Sequence, residues 1–155
     1  KDGKPVTSMG GLSVTPDISL TDVNTDNVDM LILPGGTAWE TGGNKEINEL
    51  VKTLNQNDRS IGAICAATTY LGQKGILDNL KHTSNDLSYL KGTAPQYTGD
   101  DYYVNELAVS DKNIITANGI GPIEFAREVF KKVDLYDETQ LDTWFQLFKH
   151  GIWKG

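Results

Sequence analysis

Arg59-Ser-Ile-Gly-Ala-Ile-Cys-Ala-Ala-Thr-Thr-Tyr-Leu-Gly72 joins two patterns at one residue. Residues 60–64 are a short apolar run with small side chains, the mark of a strand buried on both faces. Residues 66–72 hold good helix formers and a glycine where a helix could stop. Cys65, the chain's single cysteine, sits at the joint. A strand turning directly into a helix is where hydrolases hold a nucleophile, and small residues flank it because the turn is sharp and crowded. Ala63, Ala66 and Ala67 are the small neighbours here. The joint also places the thiol near a helix N-terminus, where the dipole favours a thiolate. By spacing alone, a lone cysteine among alanines is equally a small buried hydrophobe.

Upstream, residues 28–33 form the clearest strand, and it ends at Pro34-Gly35-Gly36. Glycines beyond a parallel strand let backbone N–H groups face a ligand, although a plain terminating turn is the commoner use of Pro-Gly-Gly. Before it, residues 6–9 and 12–15 flank Gly10-Gly11 as a possible hairpin, and residues 19–27 are a polar connection. Trp39 reads as a packing anchor. Asn44 is placed to cap a helix over residues 45–55, with Ile47, Leu50, Val51 and Leu54 at helical spacing.

Downstream, residues 81–84 predict a short strand leading to Asn85, Asp86 and a short helix to Lys91. A loop over 93–101 precedes two short strands, 102–104 and 106–109. Residues 114–117 are another buried strand, leaving through Asn118-Gly119-Ile120-Gly121. Pro122 suits the first turn of a helix whose Ile123, Ala126, Val129 and Phe130 share a face. A last helix over 138–148 carries Leu141, Trp144, Phe145 and Phe148, a stripe most simply read as core. Strands alternating with helices predict an open, mostly parallel α/β sandwich.

Composition narrows the function. The 155 residues fit one domain over 1–155, and 38% hydrophobic with 23% charged residues is typical of a globular chain. A net charge of −7 without a basic cluster argues against nucleic acid and anionic membranes. No apolar run approaches the roughly 20 residues of a membrane helix, and no signal peptide is visible. One cysteine excludes an internal disulfide, and with two distant histidines it leaves no metal site to expect. No cofactor is expected, and a reducing cytoplasm is the simplest compartment. The chain opens on a turn sequence, Lys1-Asp2-Gly3-Lys4, which for an α/β domain suggests an upstream βα unit lost by cleavage or truncation.

The strand into Pro34-Gly35-Gly36, the run Gly62-Ala-Ile-Cys-Ala-Ala-Thr68, and Ile115-Thr-Ala-Asn-Gly119 followed by a helix at Pro122 occur in that order. Together they resemble the ThiJ/PfpI family, which includes the parkinsonism-associated deglycase and has the class I glutamine amidotransferase-like fold. The resemblance spans nearly the whole chain. It implies a flavodoxin-like three-layer sandwich with Cys65 as nucleophile at an elbow. It also implies an oxyanion hole from the backbone N–H groups of Gly36 and Ala66, donors typically worth about 3 kcal/mol each. The family's acidic partner of the cysteine comes from the first βα unit, which would precede Lys1. At the position of the family's usual histidine stands Asn85, which can orient a substrate but cannot shuttle a proton. His82 lies three residues earlier, on the opposite face by strand alternation, and reads as a surface or packing residue. His150 reads as exposed and irrelevant.

Two functions follow. In the first, a Cys65 thiolate attacks a small carbonyl or amide substrate, such as methylglyoxal, its protein adducts or a peptide bond, as a glyoxalase, deglycase or intracellular protease would. Turnover is expected to be weak, since a missing acid–base group typically costs about 10²–10⁴-fold. In the second, Cys65 is a redox sensor, oxidised to sulfenic or sulfinic acid without a second cysteine to resolve it. Glutamine amidotransfer is less favoured, because the segment around Ile123-Glu124 has no histidine for a Cys-His-Glu triad. The family resemblance implies a homodimer.

Overall fold

The computed structural model of the chain describes residues 2–153. Four strands make the main sheet: β3 (Met30–Leu33), β4 (Ser60–Ile64), β6 (Ile114–Ala117) and β5 (Ala108–Asp111), in the spatial order β3-β4-β6-β5. β3, β4 and β6 are parallel, with Leu33 opposite Ala63 and Ile64 opposite Ala117. β5 runs antiparallel to β6 at one edge. β1 (Val6–Thr7) and β2 (Ser13–Val14) form the separate hairpin expected around Gly10-Gly11.

Strand alternation divides the core into two layers. Leu33, Ile61, Ala63 and Ile114 point to one face, where they pack with Val51 and Leu54 of α1 (Asn48–Gln56), Ala67, Tyr70 and Leu71 of α2 (Ala67–Gln73), and Leu90 of α3 (Leu87–Thr93). Ile115, Ala117 and Ile64 point to the other, against Phe125 and Val129 of α4 (Pro122–Lys132). Helices therefore cover both faces of a mostly parallel sheet, the flavodoxin-like three-layer arrangement. α5 (Glu138–His150) lies on α4, opened by a capping box in which the Asp137 side chain accepts from Gln140.

Several local expectations change. Asn44 does not cap: it is left-handed at φ 58° with no side-chain cap bond, residues 45–47 form a 3₁₀ turn, and α1 begins at Asn48. Residues 81–84 do not form a strand; only His82 makes an isolated bridge, to Tyr103. The reason is that side chains replace a strand partner, with Asp111 accepting the Lys81 N–H and Thr116 accepting the Thr83 N–H. Asp100–Tyr102 is likewise a 3₁₀ turn rather than the start of a strand. α4 anchors through Phe125, which enters the space that the missing side chain of Gly62 leaves. The aromatic stripe of α5 is only partly core. Leu141 is buried, Trp144 packs edge-on against Phe130 of α4, and Phe148 is exposed.

His82 is a packing histidine, fully buried. Its Nδ1 faces the Leu80 carbonyl at 2.8 Å and so carries the proton, leaving Nε2 to accept from the Tyr97 hydroxyl at 2.6 Å. Burial holds its pKa below the ordinary 6.5, against the opposing pull of the Leu80 carbonyl and the charges of Asp78 and Asp100. As pH falls below about 6.5 the unfolded chain takes up a proton that the folded chain refuses, so stability is lost on the acid side. Urea midpoints at pH 5 and pH 7.5 should therefore differ, and His82→Phe should reduce that difference. An unchanged difference would show that His82 does not contribute.

Candidate functional site

β4 leaves the sheet at Ile64, and α2 begins at Ala67, so the chain reverses within two residues. Cys65 takes the strain, with φ 59°, a left-handed conformation that a side chain with a Cβ adopts at a cost of roughly 1–3 kcal/mol. Its N–H donates to the Ala117 carbonyl of β6 at 2.9 Å. Its carbonyl accepts from both the N–H and the hydroxyl of Thr68, at 3.1 and 2.6 Å. The Thr68 hydroxyl also meets that of Ser84 at 2.7 Å in the buried layer below. The bend is thus bonded on both sides and below.

Two glycines make room for the side chain. A Cβ on Gly35 would lie 2.8 Å from the Cys65 Cβ, and one on Gly119 would lie 2.9 Å from its Sγ. The Pro-Gly-Gly turn, for which the sequence left both a ligand-facing and a plain terminating role open, and the Asn-Gly strand exit are first of all the two walls between which the thiol stands. Trp39 fixes the first wall by donating from its indole N–H to the Pro34 carbonyl at 2.8 Å, buried as a packing anchor. Among the described residues neither the Gly36 nor the Ala66 N–H donates a hydrogen bond, and space above Gly36 is open.

Asn85 arrives from the irregular segment before α3. Its Oδ1 accepts the Gly119 N–H at 3.0 Å, and its carbonyl accepts from the Asn118 amide at 2.7 Å. With the oxygen so engaged, Nδ2 faces Cys65 Sγ at 3.7 Å, within reach of a weak N–H···S bond. The structure therefore brings Cys65 and Asn85 together and turns the His82 ring away into the core. His150 is exposed at the end of α5, its ring against Phe145.

Sequence reasoning missed Glu40 and Tyr89. The Tyr89 hydroxyl donates to Glu40 Oε1 at 2.7 Å, with the Asn85 side chain next to it. The only signal was spacing: Tyr89 follows Asn85 by one helical turn, with Asp86 capping α3 through the Tyr89 N–H at 2.7 Å. A cavity of about 450 Å³ is lined by Leu31, Pro34, Gly35, Gly36, Trp39 and Ile47, and Cys65 does not line it.

A model of the DJ-1/PfpI family matches residues 1–132. The chain belongs to that family. It is 43% identical over 144 residues to "Uncharacterized protease YoaZ" of Bacillus subtilis, covering 93% of this chain and 69% of that relative. It is 31% identical over 141 residues to "Glutathione-independent glyoxalase DJR-1.2" of Caenorhabditis elegans, covering 88% of the chain and 72% of the relative. Among solved structures, that of a thiJ/pfpI family protein from Bacillus anthracis superposes with a TM-score of 0.88 at 41% identity, over 97% of this chain and 71% of that one. DJ-1/PfpI members thus include proteins named as proteases and glyoxalases. No helix among the described residues is long and apolar enough to cross a membrane.

Proposed function

We propose that the chain is a cysteine-dependent DJ-1/PfpI enzyme in which Cys65 attacks small carbonyl or amide substrates, 2-oxoaldehydes such as methylglyoxal foremost. The observation that carries this is the strained φ of 59° at Cys65, held between two glycines beside two N–H groups without acceptors. Strain is kept where geometry matters more than stability. The sulfur adds to the carbonyl carbon, and the developing oxyanion sits between the Gly36 and Ala66 N–H groups. Asn85 donates toward the sulfur and steadies the thiolate, but its amide cannot shuttle a proton. Relatives named protease and glyoxalase are compatible with either an amide or an aldehyde substrate. A small-molecule substrate, a cytoplasmic setting and a homodimer complete the proposal.

Alkylation tests it. Cys65 is modified stepwise with iodoacetamide, the extent is read by mass spectrometry, and methylglyoxal consumption and amide hydrolysis are measured on each sample. Turnover should fall in proportion to the modified fraction. A fully alkylated chain that works as before removes Cys65 from the chemistry.

One observation favours a redox role as the second function: Cys65 is half-buried and is the chain's single cysteine, so a sulfenic acid there has no intramolecular partner. Mild peroxide that converts Cys65 selectively to sulfinic acid, in a chain without measurable turnover, would favour sensing over catalysis.

A further inference from the structure

Asn118-Gly119, where the chain leaves β6, is its only Asn-Gly pair. Asparagine is thermolabile, and the step that destroys it is intramolecular. The backbone nitrogen of the next residue attacks the side-chain carbonyl carbon, and glycine, without a Cβ, hinders that approach least. The new C–N bond closes a succinimide ring, the amide C–N bond breaks, and ammonia leaves with the proton of the attacking N–H. Water then opens the ring at either carbonyl, leaving aspartate or isoaspartate, the latter with the main chain rerouted through the side chain. Burial does not protect this pair, since Asn118 is half-buried and Gly119 and Ile120 are exposed. Hydrogen bonds do. The Gly119 N–H, whose nitrogen would attack, donates to Asn85 Oδ1 at 3.0 Å. The Asn118 amide, which would leave, donates to the Asn85 carbonyl at 2.7 Å. Asn118 Oδ1 accepts the Ile120 N–H at 3.0 Å, so nucleophile, leaving group and carbonyl oxygen are all tied.

We propose that Asn118-Gly119 is a latent deamidation site that Asn85 keeps closed, and that its opening disables the Cys65 site. Asn85 supplies two of the three bonds, one through its side chain and one through its backbone. The product cannot be clamped again. A carboxylate only accepts, so its oxygen would meet the Asn85 carbonyl oxygen where a donor stood. Asn85 then loses the hold that keeps its Nδ2 facing Cys65 Sγ at 3.7 Å. The added negative charge, next to the wall of the thiol, also disfavours a thiolate. Isoaspartate goes further and lengthens the main chain by one atom at Gly119, where even an added Cβ would lie 2.9 Å from Sγ.

Ageing the wild-type chain at pH 8, native and in urea, tests the clamp. Mass spectrometry of each asparagine-bearing peptide reads the conversion of amide to acid, and enzymatic methylation detects isoaspartate. In urea, Asn118 should be the first asparagine to convert. In the native chain it should convert more slowly by on the order of tenfold or more, the factor that two hydrogen bonds supply. Asn85→Ala, which lacks the acceptor for the Gly119 N–H, should convert about fivefold faster than the native wild type. Asn85→Asp, whose carboxylate still accepts that N–H, should stay protected. A native wild-type chain that converts as fast as in urea overturns the clamp, and this comparison needs no variant to fold. Asn85→Ala converting no faster than wild type, or Asn85→Asp converting as fast as Asn85→Ala, overturns the role of Asn85. Asn118→Asp, the product itself, should alkylate Cys65 with iodoacetamide several-fold more slowly than wild type at pH 7. An equal rate overturns the link between the modification and the thiol.

Discussion

Cys65→Ala is expected to reduce methylglyoxal and amide turnover to the uncatalysed background. No neighbouring group can take over the attack, because the Thr68 and Ser84 hydroxyls are bonded to each other, and that of Thr68 also to the Cys65 carbonyl. Stability should hardly change in this variant, since alanine inherits the same left-handed backbone at φ 59°. Cys65→Gly should behave differently. Glycine adopts positive φ without penalty, so relief of the bend, less the extra entropy of the unfolded chain, should make it about 1 kcal/mol more stable than the alanine variant. A chain that loses activity while gaining stability is the signature of strain kept for function. Urea denaturation of the two variants decides it. If glycine confers no gain, the bend at Cys65 is not strained and the main support for the nucleophile weakens.

Gly119→Ala should disable the site from the opposite wall. The new methyl would lie 2.9 Å from Sγ, 3.2 Å from the Cys65 Cβ and 3.3 Å from the Asn85 Oδ1, so sulfur and amide must both move. A displacement near 1 Å of a reacting group can cost on the order of 10²-fold in rate. The loss should appear both in turnover and in alkylation of Cys65, while the global fold survives because Gly119 lies past the end of β6. Gly92→Ala, in exposed α3 with nothing within 4 Å of the added methyl, is the matching control. It should leave alkylation unchanged and stabilise the helix by up to about 1 kcal/mol. Equal alkylation rates in wild type and Gly119→Ala would mean that the wall is more compliant than the packing implies.

The three parallel strands and the positions of Cys65, Gly35 and Gly119 were legible in the sequence for a local reason. A strand buried on both faces reads as a continuous apolar run, and the small residues beside it show where the backbone turns tightly. Asn85 was legible through a family pattern, although its reach to the sulfur at 3.7 Å depends on Asn118 and Gly119 holding it in place. Residues 81–84 were misread as a strand because period-2 alternation cannot reveal that Thr116 and Asp111 side chains, rather than a strand, would satisfy their backbone. Asn44 was misread as a cap because its residue type suits that role, while the backbone there turns left-handed and the helix starts later.

The order of residues by itself determined the alternating α/β pattern, the buried strands and the cysteine at the strand-to-helix joint. Each depends on neighbours a few positions apart and on steric rules that act within one element. Tertiary structure alone decided what surrounds the sulfur. Glu40 and Tyr89 are 49 positions apart in the chain and meet only because the turn that follows β3 comes against the first turn of α3. His82 and Asn85 are three residues apart, yet one is sealed in the core and the other borders the thiol. Local alternation put the two on opposite faces; hydrogen bonds between distant segments decided which face is the core and which the site.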